Sequence, residues 1–384
     1  MREKISKRVV GVQPSATVVV SEKARAMAQE GLDVINLGAG EPDFDTPAHI
    51  VDAALVAIRK GYTHYVSSRG VKGLRETIAN KLKEENNLDF DPATEIIVTP
   101  GAKLGLFAAL MAAVDDSDEV LSLDPFWVSY EPCVQLAGGV PIRVPLSRED
   151  NFRVTGAKLR EKVTPRCKLL MINTPNNPTG RVLSREELEA IAEIALENDL
   201  LVLSDEIYEK IVYDGHEHIS IGSLPEMLDR TIVVNGFSKS YAMTGWRLGY
   251  VAAKEPLASE MLKVQQHSVT CAASFTQYGG IKALTGPQDI VSEMVEVYRK
   301  RRDIIVDGLD SLPGVSCHRP EGAFYAFPDV SEIGMSSLEF ADMVLRKARV
   351  AVTPGIAFGD SGEGHVRLSF ANSTKLIEKA LGSL

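Results

Sequence analysis

The chain has 384 residues, 45% of them hydrophobic, with 42 Lys and Arg against 52 Asp and Glu and a net charge of −10. That length suits about two globular domains. The acidic balance, without a long basic run, argues against nucleic acid or an anionic membrane as the main partner.

The basic start MREKISKRVV is not followed by a signal-peptide apolar core, because Pro14, Ser15 and Thr17 interrupt the next segment. The longest apolar stretch, 104–114, is too short to span a bilayer. Short apolar runs at 95–99, 120–123, 168–173, 200–204 and 231–235 predict strands. Helices are predicted between them at 104–114 and at 186–198, the second opened by the capping box Ser184-Arg185-Glu186-Glu187. Strands buried on both faces and alternating with helices predict an α/β layer, a mostly parallel central sheet flanked by helices. The last third changes character. It predicts a long charged helix over 290–308, short strands near 323–327, 350–352 and 365–369, and helices near 337–347 and 374–381. That pattern suits a smaller α+β domain. Cys133, Cys167, Cys271 and Cys317 lie far apart with no CxxC pair. They read as reduced, mostly core thiols of a cytosolic protein, with no metal site expected.

Polar motifs follow the five strands predicted in the first part. They are Gly101-Ala102-Lys103, Asp124-Pro125-Phe126-Trp127, the NTPNNPTG run at 173–180, Asp205-Glu206-Ile207-Tyr208, and Ser238-Lys239. In an open parallel sheet the carboxyl ends of the strands line one crevice, where ligands bind. Five segments distant in sequence are therefore expected to meet in one site.

Lys239 stands in the run GFSKSYAMTGWRLG at 236–249, which also holds Arg247. A small-residue turn presenting one lysine, with an arginine close behind, suits a Schiff base to an aldehyde whose phosphate is gripped nearby. Pyridoxal 5′-phosphate carries both groups.

This run resembles the lysine-attachment signature of class I and II aminotransferases, in the fold type I group of pyridoxal-phosphate enzymes. GAGEPDF at 38–44, NNPTG at 176–180, SDEIY at 204–208 and VRLSF at 366–370 add matches in the family's order across nearly the whole chain. PSAT at 14–17 and PFWVSY at 125–130 resemble the bacterial and archaeal aspartate aminotransferase branch. The resemblance implies a large cofactor-binding domain over 46–290 and a small domain made of 291–384 with the N-terminal 1–45.

It also implies roles. Lys239 forms the Schiff base and, once the substrate amine displaces it, moves the proton between the substrate α-carbon and the cofactor. Asp205 pairs with the pyridine nitrogen and favours its protonated form; the bland alternative is a helix N-cap. Tyr208 and Asn177 hydrogen-bond the phenolic oxygen, and Trp127 stacks on the ring. Gly101, Ala102 and Lys103 offer backbone N–H groups to the phosphate, and Ser238 and Arg247 add a hydroxyl and a guanidinium. Tyr65 reaches the phosphate from the neighbouring subunit of a homodimer with shared sites. Arg367 clamps the substrate α-carboxylate through a planar fork that lysine lacks, and Gly40 lets the substrate approach the backbone.

The implied reaction moves an α-amino group between an L-amino acid and a 2-oxo acid in two half-reactions. In the branch resembled, Lys103 with Ser15 and Thr17 receives a distal carboxylate, which favours aspartate or glutamate with oxaloacetate or 2-oxoglutarate. Lysine at that helix start also occurs in relatives where it only supports the phosphate loop. Prephenate-accepting and broader-specificity members share much of the pocket. The same attachment motifs serve elimination or oxidase chemistry. A non-enzymatic cofactor sensor is disfavoured, because too few residues precede Gly38 for an added DNA-binding domain. Arg69, in SSRG at 67–70, either reshapes side-chain selectivity or faces solvent.

Overall fold

The N-terminal helix Ala16–Gln29 leads into a two-residue strand, β1 (Ile35–Asn36). The protein is described by a computed structural model covering residues 4–384. Seven further strands build the central sheet. They are β2 (Ile96–Thr99), β3 (Glu119–Asp124), β4 (Val140–Pro145), β5 (Cys167–Asn173), β6 (Leu201–Asp205), β7 (Thr231–Gly236) and β8 (Gly249–Ala252), in the order β2-β8-β7-β6-β5-β3-β4. β8 runs antiparallel to β2 and β7, and the other neighbours are parallel.

Every residue of β2, β3 and β7 is buried, which is why these strands read as mainly apolar runs without a polar face. β4 escaped sequence reading for the opposite reason. It is the half-exposed edge strand VPIRVP, and an edge is where proline is tolerated within a sheet. β8, which opens on the last glycine of the GFSKSYAMTGWRLG run, was not predicted. The helices Ala48–Arg59, Lys72–Asn86, Leu257–Ser268 and Ser274–Thr285 were missed as well. In the first of these, exposed Leu55, Val56 and Ile58 blur the apolar stripe that would have marked it.

The helix Ala102–Ala113 starts two residues before its predicted bound. Gly101, at φ +84°, turns the chain from β2 straight into it, a backbone conformation that suits glycine. The predicted capping box forms at the helix Arg185–Glu197. There Ser184 Oγ accepts from the Glu187 N–H, and the Glu187 carboxylate accepts from the Ser184 N–H at 3.0 Å.

The C-terminal third holds β9 (Tyr325–Ala326), β10 (Val350–Ala351), β11 (Thr353–Pro354) and β12 (Val366–Ser369). β11-β12-β9 form a small antiparallel sheet, while β10 pairs in parallel with β1. The strand predicted at 350–352 is β10, and β11, which begins one residue beyond that bound, serves the other sheet. The helix Asp289–Asp310 buries Val291, Met294, Tyr298, Ile305 and Leu309, a helical stripe. Two of its three arginines are buried as well: Arg302 donates to Asp303 at 2.7 Å, and Arg301 to Asp43 at 2.7 Å. Among the described residues, no helix is long and apolar enough to cross a membrane.

Candidate active site

A cavity of about 480 Å³ opens at the carboxyl ends of the parallel strands. Each segment predicted to follow a strand contributes to its wall. Ala102 and Lys103 come from the turn after β2, and Trp127 from that after β3. Asn177, Asp205, Tyr208, Ser238 and Lys239 come from the ends of β5, β6 and β7. Arg247, Gly40, Thr17 and Arg367 complete the set that sequence reading placed in one site. Gly101 lies just behind this wall; Ser15 and Tyr65 do not line it.

Lys239 donates to the carbonyl of Gly40 at 2.6 Å. Burial lowers its amine to about 8, opposed by nearby Glu41 and helped by Arg367 and Arg247. Such an amine is partly neutral near pH 8, and hence a nucleophile and proton carrier.

Asp205 ends β6 with 5% exposure. Its carboxylate accepts from Tyr130 Oη at 2.8 Å and from the Ile207 N–H at 3.3 Å. Burial still raises it to about 6, because these two donors only partly replace water. The helix N-cap considered for this residue is not found: a turn, not a helix, follows β6, and the bond from Ile207 is local to that turn, while Asp205 lines the cavity.

Arg367, on β12, is 2% exposed, so it is not a surface strand residue. It donates to Asn177 Oδ1 at 2.9 Å and to the Gly38 carbonyl at 2.6 Å. The rings of Tyr325 and Phe358 approach its guanidinium carbon at 4.4 and 4.9 Å. Its Nε is buried without a hydrogen-bond partner. A buried guanidinium with unspent donor capacity is a ready carboxylate receptor. Arg367→Lys should raise KM for every α-amino acid by about 10–100-fold, the worth of a lost charge-assisted fork. Steady-state kinetics over a panel of amino acids checks this, and an unchanged KM would remove Arg367 from the carboxylate.

At the other end, Gly101 closes on Arg247. A Cβ at position 101 would sit 2.7 Å from an Arg247 guanidinium nitrogen. The arginine is itself held by donation to the Thr244 carbonyl at 3.0 Å. The helix Ala102–Ala113 starts here, and the first N–H groups of a helix have no partner within it. Ser238, 9% exposed, adds a hydroxyl. These are donors suited to an anion. Lys103 extends over Trp127, its Nζ 4.6 Å from the ring centroid. Partial burial, with Arg247 nearby, pulls its amine below the ordinary lysine range, against an opposing effect of Cys133.

Several contributors were not anticipated. Tyr130 supports Asp205, and Asn173 braces the same region by donating to the Asp205 carbonyl at 2.8 Å and accepting from the Asn177 N–H at 2.8 Å. Tyr325 and Glu41 line the cavity, as do Ser21, Glu22 and Arg25 of the N-terminal helix. Tyr130, Asn173 and Glu41 lie within PFWVSY, NTPNNPTG and GAGEPDF and were within reach of sequence reading; Tyr325, Ser21, Glu22 and Arg25 carried no such signal. Ser15 bonds Thr17 at 3.1 Å, so it stands behind the residue that does reach the cavity. Tyr65 is 87% exposed.

Arg69 follows neither expectation. It does not line the cavity, and its side chain is only 14% exposed. It donates to the Thr94 carbonyl, to Glu255 at 3.2 Å and to Ser259 at 3.2 Å. It therefore ties the 67–70 loop to the strand-end and helix behind it.

Glu206, Glu209 and His218 bring one possible ligand atom each within 4.8 Å of one another, outside the cavity wall. Their chemistry is already engaged. Glu206 accepts from Ser204 at 2.8 Å and Ser220 at 2.6 Å, and Glu209 pairs with Lys81 and Asn86.

A lysine amine at the strand ends, an arginine fork on one side and an anion cradle on the other define an α/β enzyme acting on small carboxylates. The chain belongs to the class I and II aminotransferase family, which it matches over residues 32–384. It is 45% identical to an aspartate aminotransferase of Musicola paradisiaca, over 99% of this chain and 95% of that protein. It is equally 45% identical to aromatic-amino-acid aminotransferase 2 of Thermococcus litoralis, over 98% and 96%. The solved aspartate aminotransferase of Thermus thermophilus with maleate superimposes with a TM-score of 0.95 at 42% identity, covering 99% of this chain and 98% of that one. The protein is an aminotransferase of the group that spans aspartate and aromatic amino acids.

Proposed function

We propose that this aminotransferase uses pyridoxal 5′-phosphate and exchanges amino groups between aspartate or glutamate and 2-oxo acids in a ping-pong cycle. The observation that carries the cofactor is the meeting, in one cavity, of the Lys239 amine and the buried Asp205 carboxylate, with the anion cradle at Gly101 and Arg247 beside them. Keeping an ionisable acid in so dry a place suits a cationic ring nitrogen as its partner. The cradle at Gly101 and Arg247 suits the phosphate, along with the backbone N–H groups of Ala102 and Lys103 and the Ser238 hydroxyl. Tyr208 and Asn177 are the donors for the phenolic oxygen, and Trp127 the ring face. When bound, the cofactor supplies an electron sink for the pair left at the substrate α-carbon.

The protein's own residues do the rest. Arg367 takes the α-carboxylate and fixes the α-carbon. Gly40 presents bare backbone to the cavity there. Lys239, freed when the substrate amine takes its place, would lift the α-proton and return it to the cofactor's aldehyde carbon.

Lys103 and Thr17, backed by Ser15, are proposed to take the distal carboxylate of aspartate or glutamate. The relative solved with maleate, a four-carbon dicarboxylate, supports this choice. The equally similar Thermococcus protein supports a broader reading that includes aromatic substrates. Lys103→Ala decides between them. It should cut kcat/KM for aspartate by about 10–100-fold and change that for an apolar or aromatic amino acid by no more than about twofold. Equal losses would move Lys103 to the phosphate. Stoichiometric conversion of the cofactor by L-aspartate without release of ammonia or hydrogen peroxide would further set transamination apart from elimination or oxidase chemistry.

We take 46–290 as the large cofactor-binding domain, and 1–45 with 291–384 as the small one. The β1–β10 pairing supports joining the N-terminal arm to the C-terminal part. We also propose a homodimer with shared sites. Tyr65, exposed and outside its own cavity, suits a phosphate donor to the partner's site.

A further inference from the structure

Tyr325 was given no role by its sequence, yet three contacts hold it in the cavity wall. It is 1% exposed. Its hydroxyl lies 2.7 Å from that of Tyr208. Its ring faces the Arg367 guanidinium, 4.4 Å from carbon to centroid. Its oxygen also occupies the space that a side chain at position 40 would need, so Gly40 and Tyr325 are fitted to each other. The two-residue strand β9 places it there, with Tyr325 opposite Ser369 on the strand that carries Arg367.

We propose that Tyr325 is a positioning residue with two tasks. Its hydroxyl donates to Tyr208, turning the Tyr208 proton toward the cofactor's phenolic oxygen. Its ring sets the plane of the Arg367 fork. The inference rests on the cofactor reading given above and extends it to a residue that reading does not use.

The direction of the hydroxyl pair follows from proton counting. Each phenol has one proton to donate and lone pairs to accept. If Tyr208 donated to Tyr325, its proton would be spent and it could only accept. If Tyr325 donates, Tyr208 keeps its proton for a second partner in the cavity. Both hydroxyls stay protonated, since burial raises both phenols. Hydrogen bonds in such a chain polarise one another, each strengthening the next by about 10–30%. The bond from Tyr208 to an anionic oxygen is therefore stronger with Tyr325 behind it, and the proton affinity of the Lys239–cofactor linkage is lower. The ring's task follows from the geometry at Arg367. The fork already donates to Asn177 and Gly38, and an aromatic face on one side restricts how it can tilt.

The two tasks separate in two variants of the cofactor-loaded protein. Tyr325→Phe keeps the ring and loses the proton; Tyr325→Leu loses both. Absorbance of the visible cofactor band is titrated against pH, and KM for L-aspartate or L-glutamate is measured. Tyr325→Phe should raise the spectral midpoint by about 0.3–0.6 of a pH unit, a two- to fourfold rise in proton affinity, with KM within about twofold of wild type. Tyr325→Leu should show the same spectral shift and a KM about tenfold higher. An unshifted or lowered midpoint in Tyr325→Phe overturns the donor chain. Equal KM in the two variants overturns the ring's task. Either variant alone reports the midpoint, so the loss of one to misfolding leaves the spectral test standing. Wild type with no pH-dependent visible band after loading would instead defeat the cofactor reading itself.

Discussion

Lys239→Ala should lower kcat by at least about 10⁴-fold and abolish the visible cofactor band, while the protein stays folded. General acid–base transfer alone is worth about 10²–10⁴, and this lysine is also the nucleophile that holds the cofactor. Its amine is pulled down to about 8 mainly by burial, so the protein destabilises the cation in order to have a reactive base. Removing that amine takes away a desolvated cation and one hydrogen bond to Gly40. Circular dichroism should therefore be unchanged, and thermal stability of the cofactor-free variant should match or exceed that of wild type. Turnover at wild-type rate without an added amine would refute the assignment.

Asp205→Asn should slow turnover by about 10²–10³-fold, the usual size of a lost preorganised electrostatic interaction. Asparagine preserves the shape and can still accept from Tyr130, but it brings no charge to a ring nitrogen. The same variant should stabilise the cofactor-free protein. The folded carboxyl titrates near 6, above its ordinary value of 3.8. Between these values the folded state holds more protons than the unfolded state, so stability falls as pH rises through that window. Below about 4 the group costs nothing; above about 6 the cost is complete. A shift of about two units corresponds to about 3 kcal/mol at most, so Asp205→Asn should gain about 1–3 kcal/mol at pH 8 and less at pH 5. Thermal or denaturant unfolding of the cofactor-free protein at the two pH values measures this. A pH-independent loss of stability would mean that Asp205 is a structural cap first.

The parts of this molecule legible in its sequence are those where burial or backbone geometry leaves few choices. β3 and β7 are buried at every position, so their apolar runs announce them. The residues following the parallel strands converge because the topology brings strand ends together, and Lys239, Asp205, Asn177, Tyr208 and Trp127 do line one cavity. What stayed hidden depends on side chains arriving from elements with little periodicity. Tyr325 sits on a strand of two residues, too short to alternate. Tyr130 opens the helix Tyr130–Ala137, and only the packed structure shows its hydroxyl reaching Asp205. The helix Ala16–Gln29 buries just Ala24, so it reads as a surface helix, although Ser21, Glu22 and Arg25 border the site. Arg69 shows the converse: a charge in a loop near the strand ends is spent on backbone and on Glu255.

The most direct test is chemical. Protein saturated with pyridoxal 5′-phosphate, reduced with borohydride and digested, should yield one peptide carrying a stable pyridoxyl group, and that group should sit on Lys239. Saturated protein whose label is missing, or lies on another lysine, would contradict the placement of this enzyme's chemistry at the end of β7.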